Sequence, residues 1–149
     1  MTIFLVDGEP ATKDAVTNLD LIRDQVDLID MKKAPLPFTA AERPCQIIID
    51  AIYGTGFHGR LGSNALTAAA FINQCSGSSL TCSLDIPSGL SGDMVSPSEL
   101  DTRAVRSHCT ITFHAGKPVH LQPFAAAYCG EIIIADIGIR EADLESSDL

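Results

Sequence analysis

With 149 residues, 46% of them hydrophobic and 19% charged, the chain is one domain's worth of globular protein and not a disordered segment. Its 19 acids outweigh 10 bases for a formal net charge of −9, which repels nucleic-acid phosphates and anionic membrane surfaces, so neither is expected as a partner. The five cysteines (Cys45, Cys75, Cys82, Cys109, Cys129) form no C-x-x-C pair and no zinc spacing, which suits reduced thiols in a cytoplasmic protein, and MTIFLVDGEP carries no secretion-signal pattern.

In chain order, TIFLV (2–6) reads as a strand, and residues 12–25 as a helix capped by Thr12, with an apolar stripe at Ala15, Val16, Leu19 and Ile22. VDLIDM (26–31) is a weaker strand candidate because acids interrupt it, and QIIID (46–50) is a clear one. SNALTAAAFINQC (63–75) reads as a helix opening at a serine cap, packed on a sheet. LTCSLD (80–85), CTITF (109–113) and EIIIAD (131–136) complete the strands, while 86–108, with Pro87, Gly89, Gly92 and Pro97, is mostly loop. Nearly continuous apolar runs indicate strands buried on both faces of a parallel sheet, and their alternation with helices indicates a layered α/β fold. Residues 1–140 form the domain, and 141–149 an acidic tail.

In such sheets ligands bind beyond the carboxyl ends of the strands. Asp50, Asp85 and Asp136 each end a strand. After Asp50 comes a loop in which Gly54, Gly56 and Gly59 match G-x-G-x-x-G, and Asp85 falls a little late for the acid that holds a ribose in dinucleotide sites. The glycines begin four residues after the strand, with Ala51, Ile52 and Tyr53 between, so the loop reads as one whose amides approach phosphate and not as a dehydrogenase fingerprint. Spacing alone leaves a flexible connection open. In SLDIPSGLSGD, Pro87 fixes the backbone after Asp85, Ser88 offers a hydroxyl, and Gly89 permits a turn. If Asp50 and Asp85 come from neighbouring strands, their carboxylates converge, and two close anions need a cation or a proton. A hard monovalent ion held by one carboxylate and the Ser88 oxygen would leave the other acid free for proton transfer. A plain Asx turn at Asp85 is the simpler alternative.

DAIYGTGFHGRL, SLDIPSGLSGD, TFHAGKP and GEIIIADIGI occur in this order in the YjeF N-terminal domain family, which the chain resembles from about Thr2 to Ile139. The best-known activity of that family is NAD(P)H-hydrate epimerase, an isomerase of hydrated NADH or NADPH in nicotinamide nucleotide repair. The resemblance implies a Rossmann-like three-layer sandwich with a mostly parallel sheet, a homodimer, a bound K+ ion and an NAD(P)H-hydrate dehydratase as functional partner. It implies Asp50 and Ser88 as potassium ligands, and Gly54, Thr55, Gly56, Phe57, His58, Gly59 and Arg60 as the loop for substrate phosphate. Asp85 resembles the family's substrate-contacting aspartate and is the residue expected to act as acid/base. Family members usually begin with helices and a strand leading into G-x-G-N-N-G-G-D-G, and nothing here resembles that loop. The opening TIFLVDGEPATKDAVTNL looks instead like the family's second βα unit. The expectation is a chain N-terminally truncated relative to the family, with dimerisation or poor solubility compensating for the missing strand. A catalytically inactive binding or scaffold module is the alternative function. A nicotinamide-dependent oxidoreductase rests on the glycine spacing alone.

The remaining candidates read more simply. His58 sits on the glycine loop and is as readily an exposed loop residue; Arg60 is the better anion partner, being permanently charged. His114 and His120 lack partners at metal spacing. Lys117 reads as a solvated lysine, and Phe113, Phe124 and Tyr128 as core or interface.

Overall fold

The computed structural model describes residues 1–34, 36 and 45–139; the acidic tail expected at 141–149 lies outside them. Six strands form, β1 (Thr2–Leu5), β2 (Asp27–Asp30), β3 (Ile47–Asp50), β4 (Leu80–Leu84), β5 (Cys109–Phe113) and β6 (Glu131–Ala135). The helices are α1 (Lys13–Ile22), α2 (Ser63–Cys75) and the single turn α3 (Ala126–Cys129). Every strand pairing is parallel. Among the described residues β1 pairs only with β2, and β3-β4-β5-β6 form a second sheet in that order.

The weak candidate at 26–31 is a strand because its apolar residues Leu28 and Ile29 pair with Ile3 and Phe4, which outweighs the flanking acids. Thr12 is the N-cap of α1, although its hydroxyl makes no capping bond. The serine cap expected for α2 is displaced by one residue. Gly62, extended at ψ 171°, is the N-cap, and Ser63 is already helical.

One core lies between α2 and both sheets: Ala65, Ala68, Ala69 and Ile72 meet Val6, Met31, Leu61 and Val105, with Phe4 and Ile48 packed alongside. Asn64 ties the ends of β1 and β2 to the helix by donating from Nδ2 to the carbonyls of Val6 (3.2 Å) and Met31 (3.4 Å). The second core is built from the segment expected to be loop. Apart from one turn at Pro97–Glu99, residues 86–108 have no regular structure, yet Ile86, Leu90, Met94 and Ala104 are buried against Val119, Ala125, Tyr128 and Cys129.

Burial on both faces of the sheet is not what forms. Register places Asp50, Thr81, Ser83, Thr110 and Thr112 on one face, and all five are 0% exposed. The opposite face carries Ile47 at 58%, Ile49 at 54%, Leu80 at 48% and Ile133 at 43% exposure, because no described element packs over it. The covered side thus carries a row of buried polar side chains between Ile48 and Ile132, and the other side carries exposed aliphatics.

Candidate functional site

The carboxyl ends of β3, β4 and β5 meet at one rim, and the chain leaves β4 and β5 through tight turns. At the end of β4 the Ile86 amide donates back to the Leu84 carbonyl at 2.9 Å, a γ-turn centred on Asp85, whose φ is 68°. At the end of β5 the Ala115 amide donates to the Phe113 carbonyl at 2.8 Å around His114, φ 66°. These are the only non-glycine residues with positive φ among those described. Left-handed backbone costs an ordinary residue about 1–2 kcal/mol, and such strain concentrates at functional sites.

Asp50 closes β3 facing inward, beside Ser83 in the register. Its Oδ2 accepts from the Ser88 amide and the Ser83 hydroxyl, both at 2.8 Å, and its Oδ1 accepts from the Ser88 hydroxyl at 2.6 Å. Ser83 also meets the Ser107 hydroxyl, and Ser88 Oγ accepts the Tyr53 amide at 3.1 Å. Gly89 makes this approach possible. Its φ is +103°, and an added Cβ would lie 2.9 Å from the Cβ of Ala104.

Asp85 has different partners. Its Oδ1 lies 2.6 Å from Lys117 Nζ and accepts from the Thr112 hydroxyl at 3.2 Å, while Oδ2 accepts the Thr55 amide at 3.3 Å. Burial pushes the Asp85 carboxyl up, but the hydrogen bond and charge of Lys117 outweigh it, so the group sits below the ordinary carboxylate range. The lysine read from sequence as solvated is therefore an ion-pair partner, its side chain 19% exposed. Next to it, burial first and the Lys117 charge second hold the His120 imidazole below its usual value. His120 Nδ1 accepts the Lys117 amide at 3.1 Å, and its Nε2 is buried without a partner.

The two carboxylates thus stand at neighbouring strand ends without sharing a crevice charge. Asp50 is turned inward and held by hydroxyls, whereas Asp85 is held by an ammonium group. The glycine loop folds over the second. Gly54 lies beside Asp85, where a Cβ would make an ordinary contact at 3.4 Å from Oδ2, and the Phe57 amide closes a turn onto the Gly54 carbonyl at 3.0 Å. Tyr53 and Phe57 stack at 4.7 Å, and the Tyr53 hydroxyl donates to Asp7 at 2.6 Å, joining the loop to the end of β1. Thr55, Gly56, His58, Gly59 and Arg60 are exposed at the mouth. His58 Nδ1 lies 3.2 Å from the Ser91 hydroxyl. Asp136, the third strand-end acid, only closes its own turn by accepting the Gly138 amide at 2.8 Å.

Asp50 makes no ion pair, and no group of three His, Cys, Asp or Glu gathers anywhere, among the described residues. Its side-chain neighbours Ser83 and Ser88 present hydroxyl oxygens, and oxygen is the ligand atom a hard cation prefers. A serine hydroxyl that donates to Asp50 still has lone pairs to offer. The residues present fit a potassium ion.

The family model described as "YjeF-related protein N-terminus" matches residues 1–119. The chain belongs to that family. It is 36% identical over 143 residues to the bifunctional NAD(P)H-hydrate repair enzyme of Archaeoglobus fulgidus, covering 94% of this chain and 27% of that protein. It is 32% identical over 143 residues to an NAD(P)H-hydrate epimerase of Pirellula staleyi, covering 95% of this chain and 59% of the relative. The crystal structure of yeast YNL200c superposes with a TM-score of 0.62 at 15% identity, over 92% of this chain and 54% of that one, which bears out the Rossmann-like α/β fold. As a member of the YjeF-related family, the chain spans under two thirds of each of these relatives.

Sequence reasoning missed Ser83, Thr112, Lys117 and His120. The lysine lies in TFHAGKP, one of the four motifs that carried the resemblance, but nothing in its local spacing pointed to Asp85.

Proposed function

We propose that the domain is an NAD(P)H-hydrate epimerase, interconverting the two epimers of hydrated NADH or NADPH. The observation that supports it best is the junction of loop and acid, where the Thr55 amide donates to an Asp85 oxygen and Gly54 lies beside it. A dinucleotide whose diphosphate lies along Gly54, Thr55, Gly56, Phe57, His58, Gly59 and Arg60 presents its damaged ring to Asp85. The exposed amides and the permanent charge of Arg60 suit phosphate oxygens. The reaction needs proton transfer at the hydroxyl-bearing carbon beside the ring nitrogen, and Asp85 is the acid/base group.

Asp50 and Ser88 are the residues that would hold potassium. When bound, the ion supplies a fixed positive charge near the substrate phosphates. Ser83 orients Asp50 for that task, and Pro87 with Gly89 holds Ser88 against it. The same reading proposes a cytoplasmic protein, a homodimer and an NAD(P)H-hydrate dehydratase acting on the epimer produced. A binding or scaffold module remains the second reading, favoured by the bare aliphatic face of β3–β6, a surface suited to another protein.

The test is to supply one purified epimer of NADPH hydrate to the protein in potassium buffer and separate the epimers by chromatography over time. The reading expects both epimers to appear faster than in buffer alone, and more slowly when sodium replaces potassium. An unchanged epimer ratio overturns it.

A further inference from the structure

Held ionised by its surroundings, Asp85 is ready to accept a proton and poorly placed to supply one. A reaction that removes and restores a hydroxyl needs both. The other titratable groups at the rim are His120 and Lys117. Burial and the neighbouring lysine charge hold the His120 imidazole below its usual value, and its Nδ1 is taken up by the Lys117 amide.

Lys117 is placed with unusual care for a lysine. The turn at His114 folds the chain back so that the side chain returns over the end of its own strand. Its ammonium group then finds three acceptors: Thr112 Oγ1 at 2.8 Å, the Phe113 carbonyl at 2.9 Å and Asp85 Oδ1 at 2.6 Å. Its stem runs beside Gly92, where a Cβ would come within 3.6 Å of the lysine Cγ. The following turn is pinned by the Val119 amide, which donates to the Gly92 carbonyl at 3.1 Å. A surface ion pair kept for stability alone contributes about 0–1 kcal/mol and needs neither a strained turn nor a third acceptor.

We propose that Lys117 is the proton donor of the site, its ammonium group working with the Asp85 carboxylate as one acid–base pair; this assignment rests on the epimerase reading above. The Lys117 ammonium gives a proton to the ring hydroxyl. The carbon–oxygen bond breaks, its electron pair leaving with the oxygen as water, and the lone pair of the ring nitrogen forms a carbon–nitrogen double bond. Water then adds to that carbon from the other side and loses a proton to Asp85. The proton passes from Asp85 to the Lys117 amine across their contact, and both groups return to their starting charges. Nothing is oxidised or reduced, and the one water lost is balanced by the one gained.

Lys117→Arg tests this without removing the ion pair, because a guanidinium keeps its charge but does not release a proton at neutral pH. The expected result is a loss of about 10²–10⁴ in kcat, the usual contribution of a positioned acid, with KM little changed. Lys117→Ala shows the same loss, and added methylamine restores part of it, with a pH dependence that follows the amine. In isotopically labelled water, the wild-type product carries the label at its hydroxyl at the catalysed rate. A Lys117→Arg enzyme with wild-type kcat overturns the assignment and leaves the epimerase reading standing, as does a change confined to KM. A wild-type product without label overturns the water-loss step. A folded wild-type protein that does not accelerate epimerisation overturns the epimerase reading and this assignment with it.

Discussion

Asp50 offers a quantitative test of how the rim is built. Three donors aim at its carboxylate from 2.6–2.8 Å: the Ser88 hydroxyl, the Ser88 amide and the Ser83 hydroxyl. In Asp50→Asn the amide nitrogen can take the Oδ1 position. There it faces the Ser88 hydroxyl, which rotates to accept. The Oδ2 position remains an acceptor for the other two donors. All three bonds lose their charge assistance, which the relieved cost of burying a charge offsets in part, for a net loss of about 1 kcal/mol. In the near-isosteric Asp50→Leu, Ser83 keeps Ser107 as a partner, but the Ser88 amide is stranded in a site with 0% exposure. A buried unsatisfied donor costs about 1–3 kcal/mol, and the two weakened hydroxyls add roughly 1 kcal/mol each, so the total is about 3–5 kcal/mol. Urea unfolding with a slope of roughly 2 kcal/mol/M converts these into midpoint losses of about 0.5 M for Asn and about 2 M for Leu. Equal midpoints for the two variants would refute the hydrogen-bond account of Asp50.

Gly89→Ala combines left-handed strain at φ +103° with a Cβ 2.9 Å from Ala104, and should cost about 2–4 kcal/mol, on the order of 10 °C in thermal midpoint; an unchanged midpoint contradicts the packing described. His120 is held below the usual imidazole value by burial first and by Lys117 second, so its contribution to stability is complete above about pH 6.5 and is lost as pH falls below that value. Thermal melts should therefore show the wild-type midpoint dropping between about pH 7 and pH 5, with a shallower drop for His120→Gln; parallel curves contradict it. The bare aliphatic face should drive self-association: light scattering is expected to show a dimer or larger species, shifted towards monomer by Ile49→Lys together with Ile133→Lys. A monodisperse wild-type monomer that does not bind hydrophobic dyes contradicts that expectation.

The strands were legible because β-branched, apolar runs announce buried parallel sheet, and Asp50 and Asp85 at their ends marked the rim correctly. What the runs concealed is facing. In LTCSLD, Thr81 and Ser83 point into the hydroxyl-lined interior, whereas Leu80 lies on the open face, an alternation that a count of apolar residues does not weigh. The long segment after Asp85 has the glycines and prolines of a loop, and it is irregular; its burial of Ile86, Leu90 and Met94 has no period and so no local signal. Lys117 was misjudged for a related reason. Its partner Asp85 follows another strand, and the contact depends on a backward turn at His114, which no glycine or other turn signal at that position announces. The glycine loop lies beside Asp85 because a loop leaving β3 and a turn leaving the adjacent β4 have to meet.

Replacing Asp85 with asparagine tests most directly whether the chemistry resides at this rim. The side chain keeps its size and its ability to accept the Thr55 amide, so the far-ultraviolet circular dichroism of the variant should match that of the wild type. With a single epimer of NADPH hydrate as substrate, the variant should leave the epimer ratio at its uncatalysed drift while the wild type equilibrates it. A variant that equilibrates the epimers as fast as the wild type contradicts the account.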